Sequence, residues 1–316
     1  MAGPAPHSGR RSVRAAWASL PDLMNWPCTE PYSTVASLFR ADEDPVGRAA
    51  GFDLCAADGV RLRAEHWPIE PPGSGAVVRD ETLAVVVAHG FTGGAAKPKV
   101  RAVVEHLVRH AGVYVFDFRG HGASGGESTV GDEEILDLDA VVAAARAVGY
   151  ARVVTLGFSM GGAVAIRHAA LIGVRTFAPV DAVAAVSAVS RWYRTETPPM
   201  RRLHWAIQTA PGRAFARRAL GTRIAAAGWS PPPMPPDALV GRISPVPLLL
   251  VHGDRDPYLT MDNAEDLYAA AREPVTLWTW PGFAHAESGM TPDRTARLGT
   301  VLVSMARGNR AEEWAA

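Results

Sequence analysis

Gly157-Phe158-Ser159-Met160-Gly161-Gly162 is the stretch that decides the fold of this chain, because a strand pattern ends and a helix pattern begins around its serine. The residues at 152–156 are mostly apolar and β-branched, as in a strand buried inside a parallel sheet. The residues at 163–170 have the composition of a helix. Glycines two positions before and after the serine leave room for a sharp turn. We therefore expect Ser159 to present its hydroxyl at the carboxyl edge of the sheet, as a candidate nucleophile.

Two later strand patterns, at 247–252 and 275–280, are each followed by side chains that could support such a serine. Asp254 and Asp256 follow the first pattern, and His285 follows the second. A serine hydroxyl is a weak nucleophile at neutral pH and needs an imidazole to accept its proton. The imidazole needs a carboxylate that fixes its tautomer and stabilises the imidazolium. His285 is therefore the candidate base, with a solvated or core histidine as the alternative interpretation, and either aspartate is a candidate acid.

A strand pattern at 84–89 leads into a glycine-containing turn that could stabilise a developing negative charge. The backbone N–H groups of Phe91 in this turn and of Met160 after the serine are the candidate donors of an oxyanion hole.

The strand pattern at 113–118 also runs into a turn punctuated by glycines. Arg119 in this turn is expected to pair locally and to brace the loops around Ser159. His121 precedes the serine along the chain, so we interpret it as a structural residue rather than as the base.

Together these motifs resemble those of the α/β-hydrolase superfamily, and the resemblance extends over almost all of residues 50–306. It is greatest to the lysophospholipase, esterase and bromoperoxidase-like branches. The resemblance implies a Ser–His–Asp hydrolase that needs no metal and no organic cofactor. It also implies that Asp256 is the acid, with Asp254 as the second candidate, and it identifies no substrate. The matching motifs are His89-Gly90-Phe91, the turn at 117–124, the stretch around Ser159, His252-Gly253-Asp254-Arg255-Asp256 and Gly282-Phe283-Ala284-His285.

The composition is that of a globular protein: 316 residues, 48% hydrophobic and 20% charged. This length suffices for one large α/β domain with an inserted cap. A formal net charge of zero argues against a nucleic-acid-binding protein. The sequence has no run of 18 uncharged apolar residues, so we expect no membrane span. The amino-terminal segment lacks the apolar run of a secretory signal. Cys28 and Cys55 lie in dissimilar contexts and are not expected to pair, which favours a reducing, cytoplasmic setting.

The order of the patterns predicts an α/β-hydrolase fold: a mostly parallel eight-stranded sheet with helices on both faces and an inserted helical lid. We divide the chain into an amino-terminal extension at 1–48, a core at 49–188 and 244–316, and the lid at 189–243. The extension is interpreted as a short helix or loop docked on the core, with a membrane-surface helix or an extra wall of the active site as the alternative.

The predicted lid carries both large apolar side chains and an excess of positive charge. Its apolar residues could form the ceiling of an acyl pocket or simply pack a small helical cap. It contains nine arginines and only two acidic residues, Glu196 and Asp237, which gives an excess of seven positive charges. Such a run is either a solvated face or a site for an anionic group, such as a CoA or phosphopantetheine thioester, a phospholipid head group or a carboxylate.

The leading functional hypothesis is a serine hydrolase that cleaves a carboxylic ester through an acyl-enzyme. A thioesterase acting on acyl-CoA or carrier-protein substrates would use the same residues. Perhydrolysis, lactone opening and C–C bond hydrolysis stay open, because the fold does not dictate the reaction. A hydrolase-like binding module without activity is the alternative from another class. The expected partner is a small acyl substrate, with or without an anionic group, and the oligomeric state stays open.

Overall fold

The computed structural model describes residues 42–43, 49–71 and 77–309 of the chain. The expectations for the extension at 1–48, apart from residues 42–43, and for Cys28 concern residues outside these ranges.

The described residues form nine strands in a single sheet with the order β1-β2-β3-β5-β4-β6-β7-β8-β9. The strands are β1 (Asp42–Glu43), β2 (Ala50–Cys55), β3 (Arg61–Trp67), β4 (Leu83–Ala88), β5 (Gly112–Phe116), β6 (Arg152–Phe158), β7 (Ala182–Val186), β8 (Leu248–Gly253) and β9 (Val275–Trp280). The pairs β1–β2, β2–β3 and β3–β5 are antiparallel, and all other pairs are parallel. The predicted mostly parallel sheet is therefore confirmed, with a two-residue edge strand beyond the eight expected.

Helices connect the strands. They are α1 (Pro98–Leu107), α2 (Glu134–Val148), α3 (Met160–Ala170), α4 (Pro198–Gln208), α5 (Ala210–Phe215), α6 (Pro236–Leu239), α7 (Asp262–Ala270) and α8 (Pro292–Ala306). A π-helical turn, Ala216–Leu220, continues α5, and two 3-10 turns lie at Val240–Arg242 and Ala286–Gly289. None of the helices in the described part of the chain is long and apolar enough to cross a membrane.

Helices cover both faces of the sheet, as the fully apolar strand patterns predict. On one face, α2, α3 and α7 bury residues such as Leu138, Val164 and Leu267. On the other face, α1 and α8 bury residues such as Val104 and Leu302. Burial on both sides explains why the central strands β4 and β6 are apolar almost throughout.

The parallel register brings the ends of the central strands to one edge of the sheet. Ala88 at the end of β4 pairs with Gly157 of β6, and Phe158 pairs with Val186 at the end of β7. The turn after β4 therefore lies beside Ser159. The loops that follow β8 and β9 leave the sheet at this same edge, because Gly253 pairs with Trp280.

The segment at 189–243 is attached to the loop between β5 and α2 by backbone hydrogen bonds. The Ser128 N–H donates to the Arg223 carbonyl over 2.7 Å, and the Ala225 N–H donates to the Ser128 carbonyl over 2.9 Å. The indole N–H of Trp229 donates to the Thr129 carbonyl over 2.7 Å. These bonds hold the segment over the same edge of the sheet.

Arg167 of α3 is a second anchor for this segment. Its side chain is 2% exposed, and its guanidinium donates to the Gly131 carbonyl, to the carbonyl and carboxylate of Asp132, and to the Met234 carbonyl at 3.2 Å. Burial acts to lower the pKa of Arg167, but such a group stays protonated because arginine titrates far above neutrality. The buried guanidinium of Arg167 thus joins the helix that follows Ser159 to the loop at 131–132 and to Met234.

Cys55 corrects an expectation drawn from the sequence. It takes part in a disulfide bond, and no cysteine among the described residues is free. The chain has one other cysteine, Cys28, outside the described residues. The expectation of unpaired cysteines is therefore wrong, because sequence context does not reveal which cysteines approach each other in space. The cysteines therefore do not favour a reducing, cytoplasmic setting.

We predict that Arg167→Ala lowers the free energy of unfolding by about 2 kcal/mol or more, because it leaves the Gly131 carbonyl without its donor and removes the buried one of the two arginines that bond the Asp132 carboxylate. Urea unfolding followed by circular dichroism measures this loss. Arg109→Ala is the control, since Arg109 is exposed and makes no ion pair with another described residue. Equal stability of the two variants would contradict the anchoring role.

Candidate active site

Ser159 lies at the turn between β6 and α3 with φ 52° and ψ −114°, in the left-handed half of conformational space. Its N–H donates to the Val186 carbonyl over 2.9 Å. A Cβ at Gly157 would overlap the Gly161 carbonyl, and one at Gly161 would overlap the Ala88 carbonyl. Both glycines are therefore required for the close approach that the sequence predicted around the serine.

Ser159, His285 and Asp256 lie in one chain of hydrogen bonds. The Nδ1 atom of His285 is 2.7 Å from Oδ2 of Asp256, and its Nε2 atom is 2.9 Å from Oγ of Ser159. An ionised carboxylate can only accept, so Nδ1 carries the proton and Nε2 accepts from the serine hydroxyl. The imidazole is thus in the tautomer that can take a proton from Ser159.

The two candidate aspartates lie in different surroundings. Oδ1 of Asp254 accepts the N–H of Gly282 over 2.6 Å, away from the imidazole. The Asp256 side chain is fully buried, and its Oδ1 accepts the N–H groups of Tyr258 and Leu259. Burial acts to raise the pKa of Asp256, but the hydrogen bond and charge of His285 and the two N–H groups outweigh it, so this pKa lies below the usual aspartate value. Asp256 is therefore held as a carboxylate beside the imidazole.

The candidate oxyanion donors lie on either side of Ser159. Met160 follows it directly, and the turn before Phe91 is so near that a Cβ at Gly90 would lie 3.3 Å from the Ser159 Cβ. Neither the Phe91 N–H nor the Met160 N–H donates to another residue in the described part of the chain. Both N–H groups are thus without an acceptor among the described residues.

Two buried histidines hold the turn that contains Phe91, a role that sequence reasoning missed for His89. Nε2 of His89 accepts the N–H of Phe118 over 3.1 Å, while its Nδ1 lies 2.7 Å from the Gly90 carbonyl. His121 accepts the N–H of Thr92 over 3.3 Å. Burial lowers the pKa of His89 to about 3 and also lowers that of His121, so both rings are neutral and can accept as well as donate.

The turn after β5 is held by its own charged residues. The Asp117 carboxylate accepts the N–H groups of Ala95 and Ala123 over 2.8 and 2.9 Å, which joins the turns after β4 and β5. Arg119 makes ion pairs with Asp58 and Asp137, both over 2.7 Å. Arg119 is thus paired, but with acids 18 and 61 residues away along the chain, and its bracing of the loops around Ser159 stays a prediction.

Glu287 joins the loop after β9 to the turn after β4, and sequence reasoning missed it. Its Oε1 atom accepts the Gly90 N–H over 2.8 Å. Burial raises its pKa above the usual glutamate value, although the Gly90 N–H and the charge of His285 oppose this. A second bond, from the Ala286 N–H to Oγ of Ser187 at 3.1 Å, holds the same loop. The only available signal was a carboxylate two positions after the candidate base.

A cavity of about 980 Å³ opens beside Ser159 and His285, and the 189–243 segment forms much of its wall. Many large apolar side chains of that segment line it, which favours the interpretation of its apolar residues as walls of an acyl pocket. They include Trp192, Tyr193, Met200, Leu203, Trp205, Ile207, Phe215, Leu220 and Trp229. Within the described ranges, no cluster of three or more His, Cys, Asp or Glu side chains could hold a metal ion.

Curated relatives of this chain include two uncharacterized bacterial proteins. YfhR of Escherichia coli K12 is 28% identical over 247 residues, which cover 76% of this chain and 74% of YfhR. Rv2307c of Mycobacterium tuberculosis is 26% identical over 291 residues, which cover 88% of this chain and 84% of Rv2307c.

Solved structures with a similar fold include one described as an esterase and one with ferulic acid bound. Esterase Pf2001 of Pyrococcus furiosus has a TM-score of 0.59 at 22% identity and covers 92% of this chain and 97% of its own. Est1E of Butyrivibrio proteoclasticus, solved with ferulic acid bound, has a TM-score of 0.53 at 18% identity and covers 80% of this chain and 98% of its own.

A known protein family matches most of this chain. The model of the alpha/beta hydrolase family matches residues 85–298, which span the strands from β4 to β9 and all three side chains of the hydrogen-bonded chain. Because the match covers well over half of the sequence, the chain belongs to the alpha/beta hydrolase family.

Proposed function

We propose that this protein is a serine hydrolase that cleaves carboxylic esters through an acyl-enzyme intermediate. The observation that carries the proposal is the hydrogen-bonded chain from Ser159 through His285 to Asp256, which opens into a largely apolar cavity. The fold alone is compatible with many reactions, so we infer the reaction from these side chains and their geometry.

In the first half of the reaction, Oγ of Ser159 attacks the ester carbonyl while Nε2 of His285 accepts the hydroxyl proton. Asp256 stabilises the imidazolium that forms. The N–H groups of Phe91 and Met160 donate to the oxyanion of the tetrahedral intermediate. The imidazolium then protonates the leaving alcohol, and the carbonyl re-forms as the acyl-enzyme.

In the second half, a water molecule replaces the alcohol. His285 accepts a proton from this water as its oxygen attacks the acyl carbonyl, and the same two N–H groups stabilise the second oxyanion. The imidazolium returns its proton to Oγ of Ser159 when the C–O bond breaks. The products are a carboxylic acid and the free enzyme, so no cofactor takes part.

The 189–243 segment is proposed to act as the lid of this site, inserted between the core portions at 49–188 and 244–316. Its apolar walls favour an acyl group as the part of the substrate that enters the cavity. The structural similarity to Pf2001, described as an esterase, and to Est1E, solved with ferulic acid, supports a carboxylic ester as the substrate class.

We predict that Ser159→Ala abolishes hydrolysis of 4-nitrophenyl esters while the unfolding midpoint stays close to that of the wild type, because the hydroxyl contributes little packing. A fluorophosphonate probe, which reacts with activated serines, should label the wild type and not the variant. Retained activity with labelling at another serine would contradict the assignment of Ser159.

We predict that Asp256→Asn lowers kcat by a factor on the order of 10⁴, because an amide can donate to Nδ1 and then favours the wrong imidazole tautomer. Asp254→Asn is the matched control, two positions away, and should reduce kcat far less because its carboxylate contacts Gly282 and not the imidazole. Steady-state kinetics of both variants with one ester measure the two losses in kcat. A larger loss for Asp254→Asn would mean that Asp254, and not Asp256, is the acid of the triad.

A further inference from the structure

The wall of the cavity carries far more basic than acidic side chains. Glu287 is the one acidic residue that the described part of the chain contributes to this wall, and burial raises its pKa. The basic residues of the wall are Lys97, Lys99, Arg191, Arg194, Arg202 and Arg213. A largely apolar cavity in a protein of zero formal net charge therefore has a strongly positive wall.

Two of these six basic side chains are neutralised by neighbouring acids. Arg191 makes ion pairs with Asp237 and Asp266, and Arg194 pairs with Glu196 and Asp266. The charges of these two arginines are therefore balanced locally.

The other four basic residues, Lys97, Lys99, Arg202 and Arg213, make no ion pair with any acid among the described residues. Arg213 donates one hydrogen bond to the Ile207 carbonyl, which leaves its charge uncompensated. Arg201, next to Arg202 on α4, does not line the cavity and donates to the carbonyls of Thr195 and Glu196. The arginines of the 189–243 segment thus have different surroundings: Arg191 and Arg194 are ion-paired, Arg201 lies outside the cavity, and Arg202 and Arg213 line it without an acidic partner among the described residues.

The first turn of α1 adds a further positive contribution to the same wall. Lys97, Lys99 and Val100 all line the cavity, and α1 begins at Pro98. This helix start has no side-chain cap and no acidic residue in its first turn. The free N–H groups of a helix start and its dipole favour an anion, so the helix and the lysines act in the same direction.

We infer that the cavity binds acyl substrates that carry an anionic group, which Lys97, Lys99, Arg202 and Arg213 hold while the apolar walls hold the hydrocarbon part. This inference rests on the proposed hydrolase function and names its substrate class. A carboxylate, sulfonate or phosphate meets the same requirement, because each offers oxygen acceptors and a negative charge to ammonium and guanidinium groups. The anion can belong to the acyl chain or to the leaving group, as in a nucleotide-linked thioester.

Three matched esters test the inference and separate these two sources. 4-Nitrophenyl hexanoate is neutral, mono-4-nitrophenyl adipate carries a carboxylate at the far end of the acyl chain, and 4-(hexanoyloxy)benzenesulfonate carries an anionic leaving group. We expect a higher kcat/KM for one anionic ester than for the neutral ester, after each value is divided by its uncatalysed rate. The preference should fall as salt is added, because Lys97, Lys99 and Arg202 are exposed and Arg213 is half-buried.

A pair of double variants identifies the residues responsible. Lys97→Gln with Arg202→Gln should reduce the preference by about three- to tenfold, since each exposed charge pair contributes a factor of a few. Arg217→Gln with Arg218→Gln removes the same charge from exposed residues outside the cavity and should leave the preference unchanged. An equal reduction in both double variants would mean that net charge alone causes the effect and would overturn the inference.

Two further outcomes separate this inference from the proposed function. If the neutral ester is hydrolysed through Ser159 but neither anionic ester is preferred, the hydrolase stands and the inference fails. Titration calorimetry of Ser159→Ala with octyl sulfate and 1-octanol gives a readout without turnover. We expect tighter binding of octyl sulfate, weakened by Lys97→Gln with Arg202→Gln, and equal binding of the two ligands would also overturn the inference.

Discussion

The backbone conformation of Ser159 is the constraint on which the candidate site depends. A non-glycine residue at φ 52° and ψ −114° is strained by about 1–3 kcal/mol and persists only where its surroundings enforce it. The strand before it and the helix after it supply that enforcement, since the Ser159 N–H is bonded to β7 and its carbonyl accepts the N–H groups of Gly162 and Ala163. The strain projects the hydroxyl out of the sheet edge, where His285 can reach it.

The loops around this serine are joined to one another by buried polar groups rather than by apolar packing alone. Asp117 connects the turns after β4 and β5, and Glu287 connects the turn after β4 to the loop that carries His285. Neutral His89 and His121 complete the hydrogen bonding of the same turns. Because most of these bonds cross between loops, one network joins the turn that contains Phe91 to the loop that contains His285.

Local patterns were enough to predict the sheet and the turn at Ser159, because the strand and glycine signals that define them lie within a few residues of one another. The partners of Arg119, Asp58 and Asp137, lie far from it along the chain and were not predicted. The choice between Asp254 and Asp256 as the neighbour of His285 depended on the path of the loop after β8, which required the resemblance and then the structure. Glu287 and the disulfide at Cys55 were missed because both depend on contacts between residues far apart in the chain. The distribution of the arginines at 189–243 likewise required knowledge of which side chains face the cavity.

We propose that Ser159 carries the acyl group during turnover. Rapid mixing with a 4-nitrophenyl ester, followed by an acid quench and peptide mass spectrometry, would detect this intermediate. We expect a burst of nitrophenolate close to one equivalent per enzyme molecule where deacylation is the slower step, with one acyl group attached to the peptide that contains Ser159. An acyl group found on another residue of an enzyme that turns over the ester would rule out Ser159 as the nucleophile.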